Sequence, residues 1–435
     1  MLLSIFAVMA EHSTESQQVT EHAKGRYVHI LCLLVISFLA ATCIHTTARM
    51  ILLEPNLADF AHYYFFSDLL SEGVDIYSLL PDELAQMKTS STLPVYIAGK
   101  PEYSPAFFVA FIPLSHLPFW TAFTVWICAN SFALLACVVL LARYIHRTGT
   151  SRMVSYALAS VLSLASQPLF ECLGIGQINI FILLLLLLIH TFMNRKPHEI
   201  VAGACLGLIL LTKPQFGVLF VLFLLWRNFR VCGYTLLVYV VLHGMAASLC
   251  GYAIELSYWS NLLHSMLSGS VGNVALNTFN SNLSLNALFA RTLHGSPLKL
   301  MATPAYIATS TALLIATYVR AAGRTSGASS AGFCLCLCLA FLVSPLTEEH
   351  HLLILALPFA ATIVKHSQGR LSVALIITAF LLVNVRYSLT RFPMFDSGPL
   401  AVFAFGKTFG VGLLWYELLR RLKPSQISAN GALKI

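Results

Sequence analysis

The chain has 435 residues; 58% are apolar or aromatic, 10% are charged, and the mean hydropathy is +0.79. So few charges cannot cover a soluble surface, so an ordinary soluble enzyme is excluded and an all-α, polytopic membrane protein is expected. The net charge of +8 comes from basic residues scattered through short segments, not clustered on one face, and no nucleic-acid partner is implied.

In chain order, residues 1–26 read as a cytoplasmic N-terminal tail. The first ten are apolar but have no basic start, and no small-residue cleavage site follows, so they do not form a convincing signal peptide. Twelve apolar stretches come next, at 27–47, 119–142, 153–170, 177–193, 198–212, 214–226, 231–254, 303–319, 328–344, 351–364, 371–387 and 398–419. At ~20 residues per crossing these predict about twelve transmembrane helices, the shorter ones tilted or shielded by neighbours. Residues 27–423 then form one membrane domain, and 424–435 a cytoplasmic C-terminal tail. Of the cysteines, Cys32, Cys128, Cys137, Cys205, Cys334, Cys336 and Cys338 all fall inside these stretches, and no CxxC occurs. They read as small apolar side chains rather than as a zinc site or a redox pair.

Orientation follows from Lys and Arg. Segments 143–152, 194–198, 226–230, 320–327 and 365–370, with both termini, hold 17 of the 26 basic residues and only five of the 18 acidic ones, counting Arg420, Arg421, Lys423, Glu199 and Glu417 at span edges. That side is therefore cytoplasmic. The external side carries a long first loop (48–118), a second loop (255–302), and tight turns at 171–176, 213–214 and 345–350. The assignment requires 104–118 to be a helix at the external surface, because counting it as a span inverts every later loop. A protein with its polar residues gathered on one face is expected to act there.

The polar residues of that face are the candidates for chemistry. Asp59 stands just past the first span, in an aromatic stretch that includes Tyr63, and a carboxylate near lipid is costly unless used. Asp75 lies in a turn-like Gly73-Val74-Asp75-Ile76-Tyr77 segment. Tyr103-Ser104-Pro105 opens the surface helix, with proline suited to a helix start. Gln177 and Asn179 offer neutral donors and acceptors for sugar hydroxyls, or for backbone groups at a helix end. Lys213, before Pro214, either snorkels or presents a point charge to a phosphate. Asn282 and Arg291 lie in a polar patch of the second loop. Glu348, Glu349, His350 and His351 crowd one turn. Such a composition also suits a metal, but adjacent ligands on one turn rarely face one ion, so phosphate or hydroxyl recognition is preferred and no cofactor is assigned. Lys407, near the middle of the last span, is either paired in the bundle or lines a cavity.

These motifs, in this order, resemble glycosyltransferase family 87, which includes polyprenol-phosphate-mannose-dependent alpha-1,2-mannosyltransferases. The matching elements are Asp59-Phe60 with Tyr63, then Gly73, Asp75 and Tyr77, then Tyr103 and Pro105. Gly176-Gln177-x-Asn179 follows, with Lys213 after Gly203 and Gly207, then Asn282, Ser284 and Leu285 with Arg291. The set ends at Ser344-Pro345 with His350-His351, and Glu348 stands where the family usually has Trp. The resemblance implies a C-type glycosyltransferase fold. It also implies a polyprenyl-phosphate sugar donor, a glycan or glycolipid acceptor, and inverting transfer of a hexose such as mannose at the external face of a bacterial plasma membrane. On that reading Asp59 is the catalytic base. Lys213, His350, His351 and Arg291 hold the donor phosphate. Tyr63, Asp75, Tyr103, Gln177, Asn179, Asn282, Glu348 and Glu349 contact substrate.

Two other readings are open to the sequence. Within the enzyme class, the sugar could be another lipid-linked one, such as arabinofuranose. A transporter would show two similar halves with interrupted helices at matching positions, and no such repeat is seen. The sequon Asn282-Leu283-Ser284 coincides with a family element and is read as part of the site.

Overall fold

The computed structural model describes residues 18–53, 57–91, 93, 101–268, 270–271, 274–275, 281–322, 330–363, 369–386, 389 and 392–422. The described chain is helical apart from one two-residue antiparallel ladder, Ser270–Val271 against Val274–Ala275. Most of the two expected tails, and parts of the basic segments 320–327 and 365–370, lie outside the described residues.

A long helix α1 (Gln18–Leu53) leads into three helices of the first loop: α2 (Ala58–Ser71), α3 (Pro81–Ser90) and α4 (Pro105–Ser115). Then follow α5 (Phe119–His146), α6 (Arg152–Leu164), α7 (Gln167–Ile175), α8 (Asn179–Phe192), α9 (Glu199–Leu210) and α10 (Gly217–Leu225). The second half holds α11 (Phe229–Cys250), α12 (Tyr252–Ser268), α13 (Leu285–Thr292), α14 (Ala302–Ala322), α15 (Ser330–Val343), α16 (Ala356–Ile363), α17 (Arg370–Asn384) and α18 (Gly406–Arg421).

Each stretch expected to cross has a helix. Among the described residues, five helices are long and apolar enough to span alone: Tyr27–Arg49, Phe119–His146, Phe229–Cys250, Pro297–Ala321 and Pro399–Arg421. A sixth arises if α6 and α7, bent 56° at their junction, count as one. The other apolar helices have 10–17 residues. The stretch 153–170 is thus not one straight span, and the tight turn expected at 171–176 is instead the end of α7. The second loop is also largely helical, because α12 starts directly after Gly251 ends α11. The chain is a multi-pass membrane protein with several short, interrupted helices.

Shortness has local causes. Pro214 cannot donate a backbone hydrogen bond, and a three-residue 3₁₀ turn, Pro214–Phe216, separates α9 from α10. Helix α4, of 11 residues, is about 16 Å long, half the ~30 Å hydrocarbon thickness. Its Phe107, Phe108 and Phe111 are buried against α2 in an aromatic cluster with Phe60, Tyr63, Phe66 and Trp126. Helices α9 and α11 cross at Gly203, where an added Cβ would lie 2.6 Å from Val231 O and from Tyr234 Cβ. Small residues at such crossings let backbones approach where the hydrophobic effect gives no drive. The core cysteines Cys334, Cys336 and Cys338 are fully buried free thiols, as the sequence implies.

Candidate functional site

The site forms where the α7–α8 turn meets the first turn of α2. Gly176 ends α7 in the left-handed region (φ +75°), and a Cβ there would lie 2.6 Å from Phe60 Cβ. Glycine therefore sets the closeness of this contact. Trp126 Nε1–H donates to Gly176 O at 2.8 Å and fixes the turn.

That contact brings Gln177 onto Asp59. Gln177 Nε2 donates to Asp59 Oδ2 at 2.6 Å and faces His350 Nε2 at 3.2 Å. Its Oε1 accepts from Tyr63 OH, from Tyr103 OH at 3.2 Å and from Ile178 N–H at 2.9 Å. The amide is thus saturated: the oxygen meets only donors and the nitrogen only acceptors. Gln177, 3% exposed, works as a hub rather than a free sugar contact.

Lys213 approaches from the break between α9 and α10. Its Nζ lies 2.9 Å from His351 Nε2 and 5.5 Å from the centre of the Tyr103 ring. The other nitrogen of His351, Nδ1, accepts the Glu348 backbone N–H at 3.1 Å. His350 and His351 pack edge to face, centroids 4.4 Å apart, and Glu348 Oε2 is 3.7 Å from His350 Nε2. Asp59, Gln177, Tyr63, Tyr103, Lys213, Glu348, His350 and His351 therefore form one connected polar cluster.

Its electrostatics are set by carboxyls outnumbering cations. Asp59 is crowded by protein yet only half-buried. Burial pushes its carboxyl up to about 7; Lys213 opposes this when it carries its charge, and Glu102 adds to it. Glu348 is pushed up to about 8, by burial and then by Asp59, again against Lys213. Glu102, exposed at the edge of the cluster, is raised by the protein crowded around its carboxyl, with Lys213 opposing. The sequence reading did not single out Glu102, although its place beside Tyr103 was the available signal.

The remaining candidates lie around this cluster. Asp75 accepts from Tyr77 N–H (3.1 Å) and Ser257 OH (2.6 Å), while Tyr77 OH donates to Tyr103 O (2.6 Å). Asp75 thus supports Tyr103 from behind. Asn282 Oδ1 accepts from Ser284 and Thr347 N–H (2.9 and 3.0 Å), and Nδ2 donates to Pro345 O (2.8 Å), clasping the turn that leads to Glu348. Arg291 donates to Asp396 O (2.8 Å) and Phe395 O (3.3 Å) and lies over the Phe405 ring, so it holds the chain before α18. Glu349 is paired with Lys407 at 2.8 Å, which answers the choice for Lys407 in favour of pairing. Asn179 is fully buried, and both polar atoms of its side-chain amide lack a hydrogen-bond partner among the described residues.

Ligand atoms of Glu348, His350 and His351 lie within 4.8 Å of one another. The set does not fit a metal as arranged. Lys213 Nζ and a backbone N–H take up both ring nitrogens of His351, and His350 Nε2 faces the Gln177 amide.

A polar cluster in a membrane bundle, with a carboxyl near neutrality beside a lysine, fits several transfer reactions, and the comparison with known proteins narrows them. The model of glycosyltransferase family 87 matches residues 102–345, more than half of the chain. The chain belongs to glycosyltransferase family 87. The matched segment includes Tyr103, Gln177, Asn179, Lys213, Asn282 and Arg291; Asp59 precedes it and Glu348–His351 follow it. No curated protein and no solved structure matched the chain. As a family 87 member it is a membrane glycosyltransferase, which implies a sugar donor and an acceptor.

Proposed function

We propose that this family 87 enzyme transfers a hexose, mannose in the first instance, from a polyprenyl-phosphate donor to a glycan or glycolipid acceptor. The transfer inverts the anomeric centre and takes place at the external face of a plasma membrane. The observation that carries this reading is the cluster itself, in which Gln177 bridges a carboxyl and a histidine beside Lys213.

Asp59 acts as base. A carboxyl with its pKa at about 7 is half ionised near neutrality, where a general base is most effective. The acceptor hydroxyl gives its proton to Asp59 as its oxygen bonds to the anomeric carbon. The bond from that carbon to the phosphate oxygen breaks, and both of its electrons leave with the polyprenyl phosphate. Lys213 and His351 stabilise the charge growing on that phosphate. Asn179 and the exposed carboxyl Glu102 complete a polar lining suited to sugar hydroxyls. External placement rests on the Lys/Arg asymmetry.

The test is an assay of purified protein with a panel of polyprenyl-phosphate sugars and a glycolipid acceptor. Transfer from the mannose donor with an alpha-linked product is expected. Turnover with none of the lipid-linked donors would remove the reading.

A further inference from the structure

The backbone fixes the protonation of His351, and that constrains Lys213. Glu348 N–H can only donate, so His351 Nδ1 must offer a lone pair to it. A neutral imidazole with bare Nδ1 carries its hydrogen on Nε2. That Nε2 lies 2.9 Å from Lys213 Nζ. Two donors cannot share this hydrogen bond, so Nζ presents a lone pair, as a neutral amine does and an ammonium cannot.

The groups facing Lys213 are the carboxyls of Asp59, Glu102 and Glu348, the thiol of Cys172, the Tyr103 ring, and His350 and His351. The carboxyls favour the ammonium, but burial outweighs them and lowers the lysine from its ordinary value. In this arrangement amine and imidazole satisfy each other, and no uncompensated cation is buried.

We propose that binding of the donor phosphate takes up one proton from solvent at Lys213 and thereby releases His351 Nε2–H from the lysine, so that both groups turn to the phosphate. The proposal rests on the donor-phosphate reading above. A phosphodiester brings one negative charge and no proton. The Nζ lone pair accepts the solvent proton, and the resulting ammonium can no longer accept from Nε2–H. Ammonium and imidazole N–H then both donate to phosphate oxygens. Glu348 is not the source, because an anion arriving beside it strengthens its hold on its own proton. His351 acts as a neutral donor of fixed tautomer, since Glu348 N–H leaves Nδ1 no room for a second proton.

The experiment is calorimetric titration of the purified full chain with a polyprenyl methyl phosphate, a diester that does not titrate near neutrality. It is run at about pH 7.5 in two buffers of different ionisation enthalpy. The expected result is uptake of close to one proton per diester bound, with affinity falling about tenfold per pH unit above that pH. Lys213→Arg, charged at every accessible pH, should bind with clearly smaller uptake, limited to the fraction gained by Asp59 and Glu348, and with weaker pH dependence. Tight binding to the wild type without buffer dependence would overturn the proposal and leave the functional reading standing, as would equal uptake in Lys213→Arg. No binding at any pH would remove both. If Lys213→Arg fails to fold, the double variant Asp59→Asn, Glu348→Gln decides the matter: uptake persisting there supports Lys213, and its loss overturns the proposal.

Discussion

Gln177 and Asp59, 118 positions apart in sequence, meet at 2.6 Å through one amide–carboxylate hydrogen bond. This bond joins the first-loop helix α2 to the α7–α8 turn and orients the carboxyl. The same amide also touches His350, so the candidate base and the Lys213–His351 pair belong to one arrangement. Loosening either end should affect transfer before it affects folding.

Asp59→Asn keeps the size of the side chain but cannot accept a proton. Transfer should fall ~100-fold or more, the usual scale for lost acid–base help, while binding of the polyprenyl diester persists. Steady-state rates and calorimetric affinities check this. Turnover within a few-fold of wild type would move attention to Glu348.

Two carboxyls of the cluster, Asp59 at about 7 and Glu348 at about 8, prefer the protonated form in the folded chain. Unfolded, they would titrate near ~4. Their contribution to stability is therefore fully present below about pH 4 and is lost as pH rises through about 7 to 8. Melting in detergent should shift to lower temperature between pH 6 and about 8.5, and Asp59→Asn should reduce the shift. Over the same range the rate at saturating donor should rise as Asp59 ionises. A melting temperature rising with pH across this window would contradict the crowding at Asp59.

Gly176→Ala adds a Cβ 2.6 Å from Phe60 Cβ at a residue with φ +75°. The strain should cost about 1–3 kcal/mol and displace Gln177 from Asp59. Transfer should drop roughly tenfold or more, given how steeply rate depends on positioning. An Ala variant with full activity and unchanged melting would show that the close approach is unnecessary.

Lys407→Met leaves Glu349 without its 2.8 Å partner. Removing one member of a largely buried pair should cost about 3 kcal/mol, and Glu349→Gln in the same chain should recover part of it. Chemical denaturation in detergent measures both. A neutral effect of the single change would mean that water replaces the lysine.

Sidedness is open to direct labelling. A cysteine at Asp68 in a cysteine-free background should react with an impermeant thiol reagent from outside. One at Thr148 should react only after permeabilisation. The opposite pattern would invert the orientation and move the cluster to the cytoplasmic face.

Sequence alone determined the helical membrane class, because hydrocarbon demands that backbone groups be satisfied within each segment, and apolar runs report this locally. The breaks at Gly176 and Lys213-Pro214 were equally legible, since glycine and proline act through their own backbone. The bend between α6 and α7 also had a local signal, Pro168 in the first turn of α7, which the hydropathy of 153–170 masks. What composition could not do was sort the polar residues. Asp59, Gln177, Lys213 and His351 converge, whereas Arg291, Glu349 and Asn282 are used in bonds that hold the chain near the site. Glu102 joins the site only because Tyr103 is drawn in beneath Gln177. A hydrogen bond is a matter of a few ångströms between groups far apart in the chain, so residue type sets what each group can do, and the tertiary structure decides which partner it meets.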